Sequence, residues 1–234
     1  MALVKVGGGI TDIVGSIGGT TFARNSSGLY MRARVKPVNP NSARQSAIRS
    51  IVAQVSAYWS GTLTAVQRAA WAVFAAAIPA KNKLGETIYL TGFNQFVKSN
   101  IALVNGGKAI VLTAPIVLTL PGEDTSFAAT VDADTGKISI TFDDTRDWLD
   151  EDEAHMIIQM GLPKASGVTF FDGPWRHAGV IDGDNAAPPT SPDASLDVPF
   201  SVGDGQMVFI RGKIQRADGR LSDWFRSHSI VATA

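Results

Sequence analysis

Apolar residues recur at three- and four-residue spacing in three stretches of the first half of the chain, then at every second position in several short runs of the second half. The first pattern is that of amphipathic helices and the second that of half-buried strands. Over 42–59 the stripe is Ala47, Ile48, Ile51, Val52, Val55, Tyr58 and Trp59, and Ser42-Ala43-Arg44-Gln45 opens it with a capping-box pattern. Gly61 ends this helix. Thr64-Ala65-Val66-Gln67 opens a second, which runs to about Ile78 with Trp71, Phe74, Ala75 and Ile78 inward. Two helices joined by so short a loop should pack antiparallel. A polar loop and a short strand at 87–90 lead to Thr91, which caps a third helix over 92–104. Its stripe is Phe93, Phe96, Val97, Ile101 and Val104, and Gly106-Gly107 stops it.

From Ile110 the texture is β. Residues 110–120 read as a linker or entry strand, and strands are expected at 127–131, 137–142, 154–160, 168–171, 176–180, 195–202, 207–215 and 228–232. Ile138, Ile140 and Phe142 alternate cleanly, as do Val208, Ile210, Gly212 and Ile214. Short strands separated by Gly-, Pro- and Asp-rich turns fit an antiparallel β-sandwich. The fold class is therefore α+β. A glycine-rich arm (1–19) precedes a hairpin and three-helix anchoring domain (20–108), a linker (109–120) and a β-sandwich (121–234).

The stretch from Gly15 to Arg49 joins these patterns. Residues 20–25 and 29–35 are extended runs on either side of Ser26-Ser27-Gly28, a hairpin with Gly28 available for positive φ. On the second strand Tyr30, Arg32 and Arg34 alternate with Leu29, Met31, Ala33 and Val35, so one face is expected to pack and the other to present cations. Pro37 and Pro40 break the strand. The expected partner-binding residues are Arg24, Tyr30, Arg32, Arg34, Lys36, Arg44 and Arg49. Six glycines in residues 1–19 leave no expectation of a regular strand there, and a P-loop spacing is absent.

Composition sharpens this picture. The net charge of zero conceals a split: residues 1–110 carry twelve Lys/Arg against Asp12 and Glu86, whereas residues 111–234 carry nine against nineteen Asp/Glu. The basic half is thus suited to an anionic partner, and the other half to a solvated acidic surface. No cysteine is present, which excludes disulfides, thiolate metal sites and cysteine nucleophiles. The start lacks the unbroken apolar core of a secretory signal, and no run reaches the roughly 20 apolar residues of a membrane span. A soluble protein made in a cytoplasm, with no membrane partner, is expected.

Two segments carry resemblances. GQMVFIRGKIQRADGRLSDWFR at 205–226 resembles the last two strands of a fibronectin type III domain, with a turn at Ala217-Asp218-Gly219-Arg220 and a Ser-x-Trp opening the final strand. This implies an immunoglobulin-like sandwich over about 112–234, with Trp224 in the core or packing between strands. GSIGGTTFARNSSGLYMRARVKPVNPNSARQSAIR, the Trp-containing helix pair and Leu90-Thr91-Gly92-x-Asn94-x-Phe96 are similar to uncharacterised proteins encoded among tailed-bacteriophage virion genes. That similarity spans about 10–105 and brings no catalytic residues. It implies a virion component made in the bacterial host cytoplasm, most naturally a capsid decoration, cement or minor capsid protein. Its partners would be capsid or other virion proteins and further copies of the chain. A tail, connector or fibre-adaptor position is the alternative within that class. The rival class is nucleic-acid binding, with Arg24, Arg32, Arg34, Lys36, Arg44 and Arg49 on phosphates. A surface glycan held by Phe170, Phe171 and Trp175 is a further possibility for the sandwich.

Catalytic chemistry finds little support. His155, His177 and His228 lack metal-ligand spacing. Asp132-Ala133-Asp134-Thr135-Gly136 has its glycine one position early for a calcium loop and reads better as a hairpin turn. The carboxylates between Asp143 and Glu153 are a solvated loop before they are a cation site or a glycosidase pair. Neither a GxSxG elbow nor a dinucleotide fingerprint occurs. The expectation is a non-enzyme without cofactor.

Overall fold

The hairpin expected around Gly28 forms, and it recruits the glycine-rich segment before it. The computed structural model describes residues 2–3, 7–8, 13–25, 28–36, 38–81, 86–227 and 230–231; the turn residues Ser26 and Ser27, Pro37 and His228 lie outside them. β3 (Thr20–Asn25) pairs antiparallel with β4 (Gly28–Ala33), and Gly28 adopts φ 114°. Contrary to expectation, residues before Thr20 include strands: β2 (Gly15–Ile17) pairs with β3, and β1 (Ala2–Leu3) with β4. The order is β1-β4-β3-β2. Gly18 at φ 58° supplies the tight reversal between β2 and β3 that a side chain would resist.

The chain divides into two compact units, Met1–Gln45 and Ser46–Ala234. The small sheet belongs to the first. The helices from Ser46 onward and all later strands share the second, so the helical segment and the β segment that composition distinguishes form one body.

The helices α1 (Ala43–Gly61), α2 (Ala65–Ala77) and α3 (Gly92–Asn105) begin where the caps predict. Thr64 Oγ1 accepts from Gln67 N while the Thr64 N–H donates to Gln67 Oε1, and Ser42 and Gln45 exchange the same pair. Thr91 caps α3 through Asn94 N. Between α2 and α3, β5 (Pro79–Lys81) and β6 (Thr87–Tyr89) form a small ladder of which only the second strand is legible in the sequence. The four inward positions expected for the second helix, Trp71, Phe74, Ala75 and Ile78, are buried, and Trp71, Phe74 and Ile78 cluster with Val55, Leu63 and Phe96. These aromatics form the core of the helical layer. Burying each of the larger side chains, such as Phe74 or Ile78, contributes on the order of 1.5–3 kcal/mol. The 109–120 stretch has no regular strand; Ile110, Leu112, Ala114 and Leu120 instead pack on the helical core, and Trp71 Nε1 donates to Leu112 O.

Two antiparallel sheets complete the second unit. One has the order β11-β8-β7, from β7 (Ala128–Asp132), β8 (Lys137–Thr141) and β11 (Asp193–Asp197). The other has the order β10-β9-β13-β14, from β9 (His155–Gly161), β10 (Trp175–Asp182), β13 (Ile210–Gln215) and β14 (Phe225–Arg226). β12 (Met207–Val208) pairs with β15 (Ile230–Val231). The expected strand at 168–171 is absent, because Phe171 turns inward to stack on Phe209. Ala129, Val131, Ile138 and Ile140 from the first sheet share one buried cluster with Met156, Ile158, Met160, Ile210 and Ile214 from the second.

The outer face of β9 and β13 carries the alternate residues, and α3 lies over part of it. Gln215 is fully buried and its Nε2 donates to the α3 carbonyl of Ser99 at 2.8 Å. Gly106, at the end of α3, lies so close to His155 that a Cβ there would come within 2.6 Å of Nε2. Lys108 pairs with Asp182 at 3.0 Å, and the Gly219 turn between β13 and β14 lies against Ser99 and Trp71.

Desolvation lowers the pKa of fully buried His155 from its ordinary 6.5, and the charge of Asp182 only partly opposes this. The unfolded chain therefore takes up the proton first, so the associated stability is complete above pH 6.5 and is lost as pH falls below it. Urea unfolding of the full chain between pH 7.5 and 5 should show a declining midpoint. A His155→Leu variant, whatever its absolute stability, should lose most of that slope.

Candidate functional site

The pairing register sorts the expected partner-binding residues. Directly opposed residues of an antiparallel pair lie on the same face. Arg32 opposes Thr21 and Tyr30 opposes Ala23, so these share one face, where the Ser16 and Thr21 hydroxyls are 2.8 Å apart. The Arg34 N–H donates to Gly19 O, which extends the ladder and keeps Arg34 at the same parity as Arg32. Arg32, Arg34 and Lys36 are exposed, Tyr30 is half-buried, and no carboxylate among the described residues pairs with the three cations. Arg24 opposes Leu29 and stands on the other face. Arg44 lies in the first turn of α1, whereas Arg49 belongs to the second unit. On one helix the two are about 140° apart at 3.6 residues per turn. The seven residues are thus not one patch: Tyr30, Arg32 and Arg34 form a group, and Arg24 is divided from it by the sheet.

The opposite face corrects a second expectation. Leu29 is buried and Phe22 half-buried, but Met31, Val35 and Ile17 at the same parity are 39%, 74% and 75% exposed. The face expected to pack is largely uncovered.

A second arrangement, on the outer face of β13, is missed by motif reading. Arg211 is stacked between two indoles, its guanidinium 4.4 Å from the Trp175 ring centre and 4.2 Å from that of Trp224. Lys213 lies 5.2 Å from Trp224, and Arg226 lies 5.5 Å from Trp175. Arg211 Nε and Nη2 also donate to Gln159 Oε1 at 2.9 and 2.6 Å. Desolvation, helped by Arg226, lowers the Arg211 pKa to about 10; desolvation, helped by Lys98, lowers that of Lys213 to about 8. The available signal was the alternation Arg211-Gly212-Lys213, which puts two cations on one face. Its significance needed Trp224, which comes just before β14, and Trp175, which opens β10.

The aromatic trio considered for glycans is brought together but altered. Phe170 is 75% exposed, Trp175 is half-buried, and Phe171 is buried against Phe209, so it is not an exposed platform. With Thr169, Arg226 and Ser227 they line a cavity of about 190 Å³. The Asp132 segment is a hairpin turn: its carboxylate accepts from Asp134 N, Thr135 N and the Thr135 hydroxyl, and Gly136 has φ 65°. In the acidic loop Asp143 pairs with Arg146, and Glu151 with Arg216. Among the described residues no three His, Asp or Glu side chains converge as a metal site would require, and no helix is long and apolar enough to cross a membrane. Neither a protein-family model nor a curated protein matches the chain.

Replacing Arg211 by lysine should weaken folding by about 1–2 kcal/mol, measured by urea unfolding. An ammonium keeps the charge, but it cannot fork onto Gln159 or present two flat faces to the indoles, and a desolvated cation–π pair is worth up to about 2 kcal/mol.

Proposed function

We propose that this chain is a structural component of a tailed-bacteriophage particle, a capsid decoration, cement or minor capsid protein whose first unit is its anchor. The observation that carries this is the character of residues 1–45. They form a separate unit whose four-stranded sheet presents Tyr30, Arg32 and Arg34 on one face and uncovered Ile17, Met31 and Val35 on the other. A sheet of this size buries too little to be self-sufficient, and an exposed apolar face beside a cationic one is what an assembly contact requires. The unit carries six Lys/Arg against Asp12, so an acidic surface on another virion protein complements it. The resemblance read from the sequence over about residues 10–105 is the origin of the phage assignment.

The sheets of the second unit support an immunoglobulin-like sandwich. Taking β7, β8, β9, β10, β11, β13 and β14 as strands A, B, C, C′, E, F and G gives A-B-E in one sheet and C′-C-F-G in the other. Such a domain suits a surface position on a particle, and it serves a tail, connector or fibre-adaptor equally. Nucleic-acid binding is the weaker reading, because Arg24 and Arg32 lie on opposite faces of the sheet and do not follow one phosphate track.

Mass spectrometry of purified virions should detect the chain, and its absence would end the proposal. In particles, the double variant Arg32→Ala with Arg34→Ala should fail to be incorporated while the isolated protein melts within a few degrees of the parent. Exposed charges contribute roughly 0–1 kcal/mol to folding, whereas truncating one partner of an interfacial charge pair costs about 2–5 kcal/mol.

A further inference from the structure

Where α3 and α1 cover the outer face of the larger sheet, the packing is incomplete. A cavity of about 210 Å³ remains, with Ile101 of α3, Ile157 of β9, Leu221 and the Trp224 ring among its walls. Two amines also line it, Lys98 from α3 and Lys213 from β13, and so does the Gln159 amide. Among the described residues neither lysine has a carboxylate within ion-pair distance. Gln159 Oε1 is occupied by Arg211, which fixes the amide and leaves its Nε2 as the donor available to the cavity. Three donors, two of them cationic, therefore border an apolar space that has no anion.

We propose that this cavity binds a small organic carboxylate, its apolar body against Ile101, Ile157 and Leu221 and its charge on Lys98 and Lys213. The volume sets the size, because drug-sized ligands occupy sites of about 300 Å³ or more; a short acyl chain or a single aromatic ring fits the smaller space. The electrostatics set the sign. Burial beside Lys98 and Arg211 lowers the Lys213 pKa to about 8, with Asp223 as the opposing charge, so an anion relieves a repulsion already present. Below about pH 8 Lys213 is protonated and attracts the carboxylate; above it the attraction fades. Every wall of the cavity belongs to the unit 46–234, so the site is independent of the role proposed for the hairpin sheet.

The test uses the full chain and two probes, octanoate and phenylacetate, titrated calorimetrically at pH 7. At least one should bind at micromolar to low-millimolar concentration, with octan-1-ol or benzyl alcohol at least tenfold weaker. Lys213→Met should weaken the acid at least tenfold while the melting curve stays cooperative, and raising the pH from 7 to 9.5 should weaken it in the parent. Lys98→Met, at an exposed position, provides the second arm if Lys213→Met does not fold, and should weaken the acid severalfold. Failure of both acids to bind overturns the proposal. So does an alcohol that binds as tightly as its acid, or a folded lysine variant whose affinity for the acid is unchanged.

Discussion

The second unit depends on β9 and β13 being covered on both faces. Met156, Ile158, Met160, Ile210 and Ile214 enter the core between the sheets, while His155, Ile157 and Gln215 face the helical layer. A sheet buried on one side needs only alternation, but one buried on both sides must satisfy every polar group it carries inward. Gln215 does so in part through the Ser99 carbonyl, whereas neither ring nitrogen of His155 has a hydrogen-bond partner among the described residues and burial favours its neutral form. The close approach of α3 is possible because its last turn ends in Gly106, which leaves room for the imidazole. The junction is therefore specified by polar and glycine residues, and the helices and sheets are one body.

That junction also explains the cation–aromatic arrangement beside it. Beside α3, Lys213 and then Arg211 project from the outer face of β13 into partly dry surroundings. Trp175 and Trp224 supply flat faces to them, and Gln159 supplies a carbonyl. The lowered pKa values of both cations record the remaining desolvation. Packing thus grades from hydrocarbon, through buried amides, to stacked cations and then solvent. The cavity beside Trp224 lies on that gradient, which is why it combines apolar walls with amines.

The first unit has the opposite character. Its backbone is paired in four short strands, yet among the described residues of β2, β3 and β4 only Leu29 is buried. Glycines that argued against strands proved compatible with them: Gly15 pairs with Phe22 at φ 130°, a conformation open to glycine, and Gly18 makes the reversal at φ 58°. A sheet ordered by backbone pairing but not by a core leaves its surfaces for a partner.

By itself the sequence determined whatever depends on neighbours along the chain. The helix caps at Ser42, Thr64 and Thr91, the inward stripe of Trp71, Phe74, Ala75 and Ile78, the parity of Tyr30 and Arg32, and the Asp132 turn are all local, because helical and strand periods and side-chain caps act over a few residues. Only the tertiary structure decided which segments meet. The separation of Arg24 from Arg32 needed the register of β3 on β4, the burial of Phe171 needed Phe209, and the stacking of Arg211 needed Trp175 and Trp224. Reading the helices and the strands as separate segments left out that α3 lies over part of the outer face of β9 and β13. Contacts between residues more than a hundred positions apart, such as Ser99 with Gln215, leave no periodic trace in either segment.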